Sequence, residues 1–230
     1  MGNKDRRNRN IESFQARLHR FLFNSPEEIF FTILNSISNF TLPELRVAIE
    51  ADLYNLAFLG AHSVMQTISE QIYGKTGLKA TRFYLENFVD GQTEDTRFSA
   101  IAEALHSFRN VHAHRWSSRL SHAVGFDTAI KGGWRRDGKD LHVNPIIFME
   151  YFSAGFKAGG AMWIMPRKLD QLTALRRKYR YLRQWLELPK KDPILYDIRS
   201  LENCDDLGAA QKQEAAIQTL LTRRFGLCGK

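Results

Sequence analysis

SFRNVHAHRW, residues 107–116, places an arginine, an asparagine and two histidines within a few positions of one another, in a segment whose flanks read as helix. Ile101, Leu105, Phe108 and His112 recur at helical spacing, which predicts a helix from about Thr96 to His122 with one apolar face. On an ideal helix Asn110 and His114 lie about 40° apart, and Arg109 and His114 diverge by about 140°. The arginine's length or a kink must close that angle. Arg109 supplies a permanent cation with a planar donor fork, and His114 a group that exchanges protons near neutral pH. Phosphodiester cleavage needs both, one to stabilise charge on the phosphate oxygens and one to move protons.

Outward from this stretch the chain reads as helices. Ser25-Pro26-Glu27-Glu28 combines an N-cap, a proline at the first helical position and acids in the first turn, and Thr41-Leu42-Pro43-Glu44 repeats the pattern as a capping box. The second signal predicts a long helix ending near Tyr73. Leu45, Ile49, Leu56, Leu59 and Gly60 would form its core face, with Asp52 and Ser63 inside that face. Asp137-Gly138, between Trp134-Arg135-Arg136 and Leu141-His142-Val143, predicts a short exposed β-hairpin near 130–143. Helix returns over 145–158. From Arg167 to Gln184, Leu169, Leu172, Leu175, Tyr179 and Leu182 give one apolar side, and basic residues dominate the other. LPKKDPILYDIRS reads as an irregular connection with two prolines, and Asp206–Arg224 as a closing helix followed by Gly226.

The expected organisation is a mobile basic arm over residues 1–9, a helical bundle over 10–188 that includes the hairpin and a basic helix at 167–187, and a linker with a C-terminal helix over 189–230. The fold class is all-α, with a short β-hairpin insertion and a C-terminal helical extension. Lys and Arg total 33 against 25 Asp and Glu, a formal charge of +8 that favours a polyanionic partner. Arg135, Arg136, Arg176, Arg177, Lys178, Arg180 and Arg183 are the expected sequence-independent phosphate contacts. Cys204 and Cys228 form no C-x-x-C pair, FLF at 21–23 is too short for a signal peptide, and the apolar window 143–165 is interrupted by Pro145, Glu150, Lys157 and Gly159-Gly160. A cytoplasmic protein without a membrane partner is expected.

Arg109, Asn110 and His114, after the apolar lead-in IAEALHSF, resemble the motif of the HEPN superfamily: an arginine, usually a polar residue next, then four to six residues and a histidine. The position two beyond the histidine, a tyrosine in some members, is Trp116 here. The resemblance covers residues 25 to 165 and implies a helical bundle that dimerises to join two motifs in one cleft. Many members are metal-independent ribonucleases of toxin, phage-defence or RNA-processing systems. By this resemblance His114 is the acid/base residue, Arg109 the phosphate clamp and Asn110 a positioning group. The partners implied are RNA, a second copy of the chain, and an antitoxin or regulatory protein; a HEPN-like RNA-binding or protein-interaction module without turnover is the alternative.

Other readings of the same residues stay open. Asp52 could orient Arg109 or His114, or form a buried structural ion pair with Arg109. His112 shares the face of Leu105 and Phe108 and reads as a hydrogen-bonded core histidine. Helical histidines two apart diverge by about 160°, so His112 and His114 make a poor metal pair; no metal or other cofactor is expected. Phe83, Tyr84 and Phe88 read as packing residues.

Overall fold

The computed structural model describes residues 14–90, 97–114, 124–157 and 160–227, with the side chains of 111–114 outside that description. The expected arm over 1–9, Trp116, Cys228 and the end of the predicted helix beyond His114 therefore lie outside the described residues. The described chain is mainly α-helical with one small sheet, and it divides into two compact units: residues 31–168, and residues up to 30 together with 169 onward. The division falls within helix α2, Pro26–Ser36.

In the central unit, α2 passes through a wide helical turn, Ile37–Thr41, straight into α3, Leu42–Glu50. The capping box expected at Thr41 is not made: Thr41 is itself helical and its side chain caps nothing. Proline lacks the N–H and its ring crowds the carbonyl four residues back, a conflict that a widened turn relieves. The Leu42 N–H accordingly reaches Ile37 O, five residues back.

The long helix expected to run to Tyr73 is also interrupted, between α3 and α4, Tyr54–Gln71. The Leu53 N–H donates to Ala48 O at 2.8 Å and the Asp52 N–H to Ile49 O at 3.1 Å, a Schellman stop with Asp52 in the left-handed position at φ 56°. Glycine is the usual occupant, so an aspartate there gives no stop signal in the sequence. The break resets the helical phase. Leu56 is therefore 59% exposed and Ser63 is exposed, and the core face of α4 is Ala57, Phe58, Ala61, His62, Met65 and Ile68. The two helices fold back on each other where the Leu45 side chain lies over Gly60, so that a side chain at 60 would have to displace it. Asp52, expected in the core, is exposed and accepts a hydrogen bond from the Tyr54 hydroxyl at 2.5 Å. Left-handed backbone costs a non-glycine residue about 1 kcal/mol or more. Asp52→Gly is thus expected to leave stability unchanged or raise it by up to about 1 kcal/mol in urea denaturation; a loss would mean the carboxylate matters more than the turn.

Helix α5, Gly77–Tyr84, continues through a second wide turn, Leu85–Val89, and α6, Ala102–His114, follows a short tight turn at Phe98–Ile101. Tyr84 and Phe88 are fully buried. The hairpin forms as expected, with β2, Trp134–Asp137, antiparallel to β3, Asp140–Val143, and Gly138 at φ 62° in the turn. It is not an exposed ribbon, because β1, Val124–Phe126, adds a parallel strand to the other edge of β3, and Leu141 and Val143 are buried. Phe126 of β1 joins Phe58, Phe108 and Phe148 in one aromatic cluster, with ring centroids 4.4 to 6.5 Å apart. Asn144 accepts from the N–H groups of Ile146 and Ile147, and so starts α7, Pro145–Ala154. A short helix, α8, covers Ala161–Ile164.

The other unit holds a helix α1 over residues 14–23 with α9, Gln171–Trp185, α10, Pro193–Glu202, and α11, Leu207–Phe225. Asp170, Asp192 and Asp206 are their N-caps, each accepting from a backbone N–H of its first turn. The stretch expected to be an irregular connection is therefore largely α10, with Pro193 at its first position. Gly226, left-handed at φ 60°, ends α11. Phe14 and Phe21 both stack on Trp185, with ring centroids at 5.3 and 6.4 Å, and Phe21 also meets the Tyr181 ring at a tilt, 5.7 Å away.

Candidate functional site

Helix α6 carries the whole arginine-histidine motif without a break. Leu105 and Phe108 bury its apolar face, which turns Arg109 to the flank and Asn110 to the exposed side. The Arg109 guanidinium donates to Asn110 Oδ1 at 3.1 Å. The backbone of His112 and His114 continues the helix; their side chains lie outside the described residues. Asp52 makes its hydrogen bond with Tyr54, so the structure does not bring it to Arg109 as a partner.

Behind Arg109 three helices bring together residues that the sequence reading did not single out. His106 precedes Arg109 by three positions on the same face of α6. His106 Nδ1 lies 3.3 Å from His62 Nε2 on α4, and both lie 3.2 Å from Thr81 Oγ1 on α5. The Thr81 hydroxyl also accepts from Gln66 Nε2 at 2.9 Å. A hydrogen bond between two ring nitrogens needs one as donor and the other as acceptor, so the two rings cannot both be charged. His62 is 3% exposed and its Nδ1 is buried without a partner. Burial, then the charges on His106 and Arg109, push the His62 ring down from 6.5 to about 4. Burial and then Arg109 lower His106 as well. At neutral pH the result is one fixed cation, Arg109, beside two uncharged imidazoles. The clue in the sequence was the i, i+4, i+8 series Phe58, His62, Gln66, hidden because the helical phase was carried over from α3.

The expected phosphate contacts separate by environment. Arg135 and Arg136 are exposed on β2, where Arg135 pairs with Asp137 at 3.0 Å. On α9, Arg183 holds Glu202 through two hydrogen bonds of 2.6 and 2.9 Å, and Arg176 donates to Asp205 and to the Cys204 carbonyl. Arg177 and Arg180 are half-buried. Lys178 is corrected outright. It is 2% exposed, and its ammonium donates to Leu22 O at 3.0 Å, Asn24 O at 2.9 Å and Glu214 at 3.2 Å. Lys178 follows Leu175 by three and precedes Leu182 by four, the spacing of the core face, so its burial was legible.

Among the described residues no group of three or more His, Cys, Asp or Glu is placed to hold a metal ion, and no helix is long and apolar enough to cross a membrane. No family model matches the chain, no curated protein is similar to it, and no solved structure matches it.

Proposed function

We propose that this protein is a metal-independent endoribonuclease of the HEPN type, acting as a homodimer in a toxin or phage-defence system under an antitoxin or regulatory protein. The observation that supports this most is the Arg109–Asn110 pair on the accessible side of α6, with His114 at the end of the same unbroken helix. His114 would remove the proton from a 2′-hydroxyl, the 2′-oxygen would attack phosphorus, and the bond to the 5′-oxygen would break. The matching histidine of the second copy would protonate that leaving oxygen. Arg109 would neutralise charge on the non-bridging oxygens, with Asn110 fixing its fork. Arg135 and Arg136 would hold the RNA backbone without reading bases.

The second reading, a HEPN-like RNA-binding or protein-interaction module without turnover, draws on one observation: the Arg109 charge helps to keep buried His62 neutral, an effect that needs no substrate. One experiment separates the two. His114→Ala and Arg109→Ala are each expected to slow cleavage of mixed RNA substrates by about a hundredfold or more. Products should carry 2′,3′-cyclic phosphate and 5′-hydroxyl ends, activity should survive EDTA, and light scattering should give twice the 26.6 kDa chain mass. Circular dichroism must show both variants folded. Folded variants that cut at the wild-type rate, or a wild type that cuts no RNA, defeat the ribonuclease reading.

A further inference from the structure

Beside the motif helix, the break between α3 and α4 exposes a carboxylate and an aromatic ring together. Among the described residues Asp52 is the one non-glycine with positive φ, in a stop that glycine would make with less strain. Its exposed carboxylate accepts the Tyr54 hydroxyl on Oδ1, which uses one of about four acceptor sites and holds the carboxylate at the rim of the ring. The Tyr54 ring is half-buried, and Phe126 meets it at a 57° tilt, 5.8 Å away, and does not lie flat over it. Leu53 and Leu56, beside it in the chain, are exposed. This corner is level with the end of the motif. Helices α4 and α6 run antiparallel, because His62 meets His106 while Phe58, earlier on α4, meets Phe108, later on α6. Tyr54 precedes His62 by as many residues as His114 follows His106, so each lies about 12 Å along its helix from the histidine contact, at the same end of the pair. Packed helices are about 8–10 Å apart, axis to axis.

We propose that Asp52 and Tyr54 form a subsite for an unpaired guanine of an RNA strand, next to the phosphate that Arg109 and His114 would act on. Single-stranded RNA is read by stacking its bases on aromatic rings and by bonding their Watson–Crick edges. Guanine alone among the four bases presents two adjacent donors on that edge, N1–H and N2–H, and an ionised aspartate is acceptor-only, with two oxygens to receive them. Adenine and cytosine place a ring-nitrogen acceptor next to their amino group, and uracil flanks its N3–H with two carbonyls. Each of those edges would set an acceptor against the carboxylate. A guanine over Tyr54 would stack on the phenol and meet Asp52 edge-on. This use also accounts for an aspartate in the left-handed stop, since backbone strain persists where a side chain has a role outside the turn. The inference rests on the ribonuclease reading for the position of the cut, and not for the binding of the base.

Fluorescence anisotropy on the full chain tests the subsite without cleavage, using uncleavable 2′-O-methyl RNA pentamers that are uridine throughout except for a central guanine, adenine or cytosine. The guanine pentamer should bind at least about tenfold tighter than the other two, the scale of a two-point base contact. Asp52→Asn, which a left-handed position accepts, should bring the three affinities to within about twofold of one another. Tyr54→Leu should weaken all three by about tenfold, as loss of a base–aromatic stack does, and Tyr54→Phe should keep the guanine preference. The wild-type comparison of pentamers needs no variant, so a misfolded variant leaves the question decidable. In the cleavage assay, mapped ends should fall beside guanines, and cuts with no relation to guanine would overturn its placement next to the scissile phosphate. Equal binding of the three pentamers, or no binding at about 1 mM, overturns the subsite even if RNA is cut. Guanine-selective binding with no cleavage upholds the subsite and defeats the ribonuclease reading. Guanosine monophosphate binding tighter than the guanine pentamer would make a free nucleotide the ligand and overturn the assignment to RNA.

Discussion

Lys178→Ala is expected to destabilise the unit built from α1, α9, α10 and α11 by about 3–5 kcal/mol, the usual cost of breaking a buried ion pair by removing one member. The reason is the completeness of the site. An ammonium has three protons, and Lys178 gives them to Leu22 O, Asn24 O and the Glu214 carboxylate. Two of those acceptors are carbonyls at the C-terminal end of α1, which lack helical partners and carry the negative end of the helix dipole. Without Lys178, the Glu214 carboxylate, 20% exposed, would stay beside those carbonyls with no cation. Lys178→Met with Glu214→Met should recover part of the loss, because no unpaired charge then remains. Urea denaturation followed by circular dichroism measures both. A loss under about 1 kcal/mol for Lys178→Ala, together with a changed salt slope for RNA binding, would return the residue to the surface.

Acidification should weaken the central unit through His62. Its folded value, about 4, lies below the ordinary 6.5, so as pH falls the unfolded chain takes up the proton first. The contribution from keeping the ring neutral is fully present above about pH 6.5 and is lost as pH falls towards 4, on the order of 3 kcal/mol in total. His106 adds to the loss in the same direction. His62→Gln should flatten the dependence of unfolding free energy on pH across that window, whatever it costs at pH 7. A wild-type profile flat between pH 6.5 and 4 would show that these rings are hydrated and not held as a buried neutral pair.

Much of the helical plan was legible where a side chain marks a terminus. Ser25, Asp206 and Gly226 sit at the helix ends their chemistry predicts, with Ser25 and Glu28 completing a reciprocal cap. Legibility failed where another residue did a marker's work. Asp52 occupies a left-handed stop that glycine usually takes, and Pro43 lies inside a continuous helix because a widened turn accommodates it. Strand β1 has three residues, too few for an alternating pattern. The motif on α6 was visible as letters, but its surroundings were not: His62 is 44 residues from His106, and only the packing of α4, α5 and α6 makes them neighbours.

The contacts that close α1 come from far along the chain. Lys178 is 156 residues from Leu22, and Gln218, which also donates to Leu22 O, is 196 residues away. Translation adds about 5–20 residues per second, so residues 14–23 leave the ribosome roughly 10–40 s before Gln218 is made. Until α9 is made, Phe21 lacks the rings of Tyr181 and Trp185 that it packs against in the folded unit. Residues 31–168 form a compact unit of their own and can meanwhile complete their core. Nascent chains should therefore show an early protease-resistant central fragment and a late-arriving second unit, with the exposed α1 segment as the natural place for a chaperone to wait.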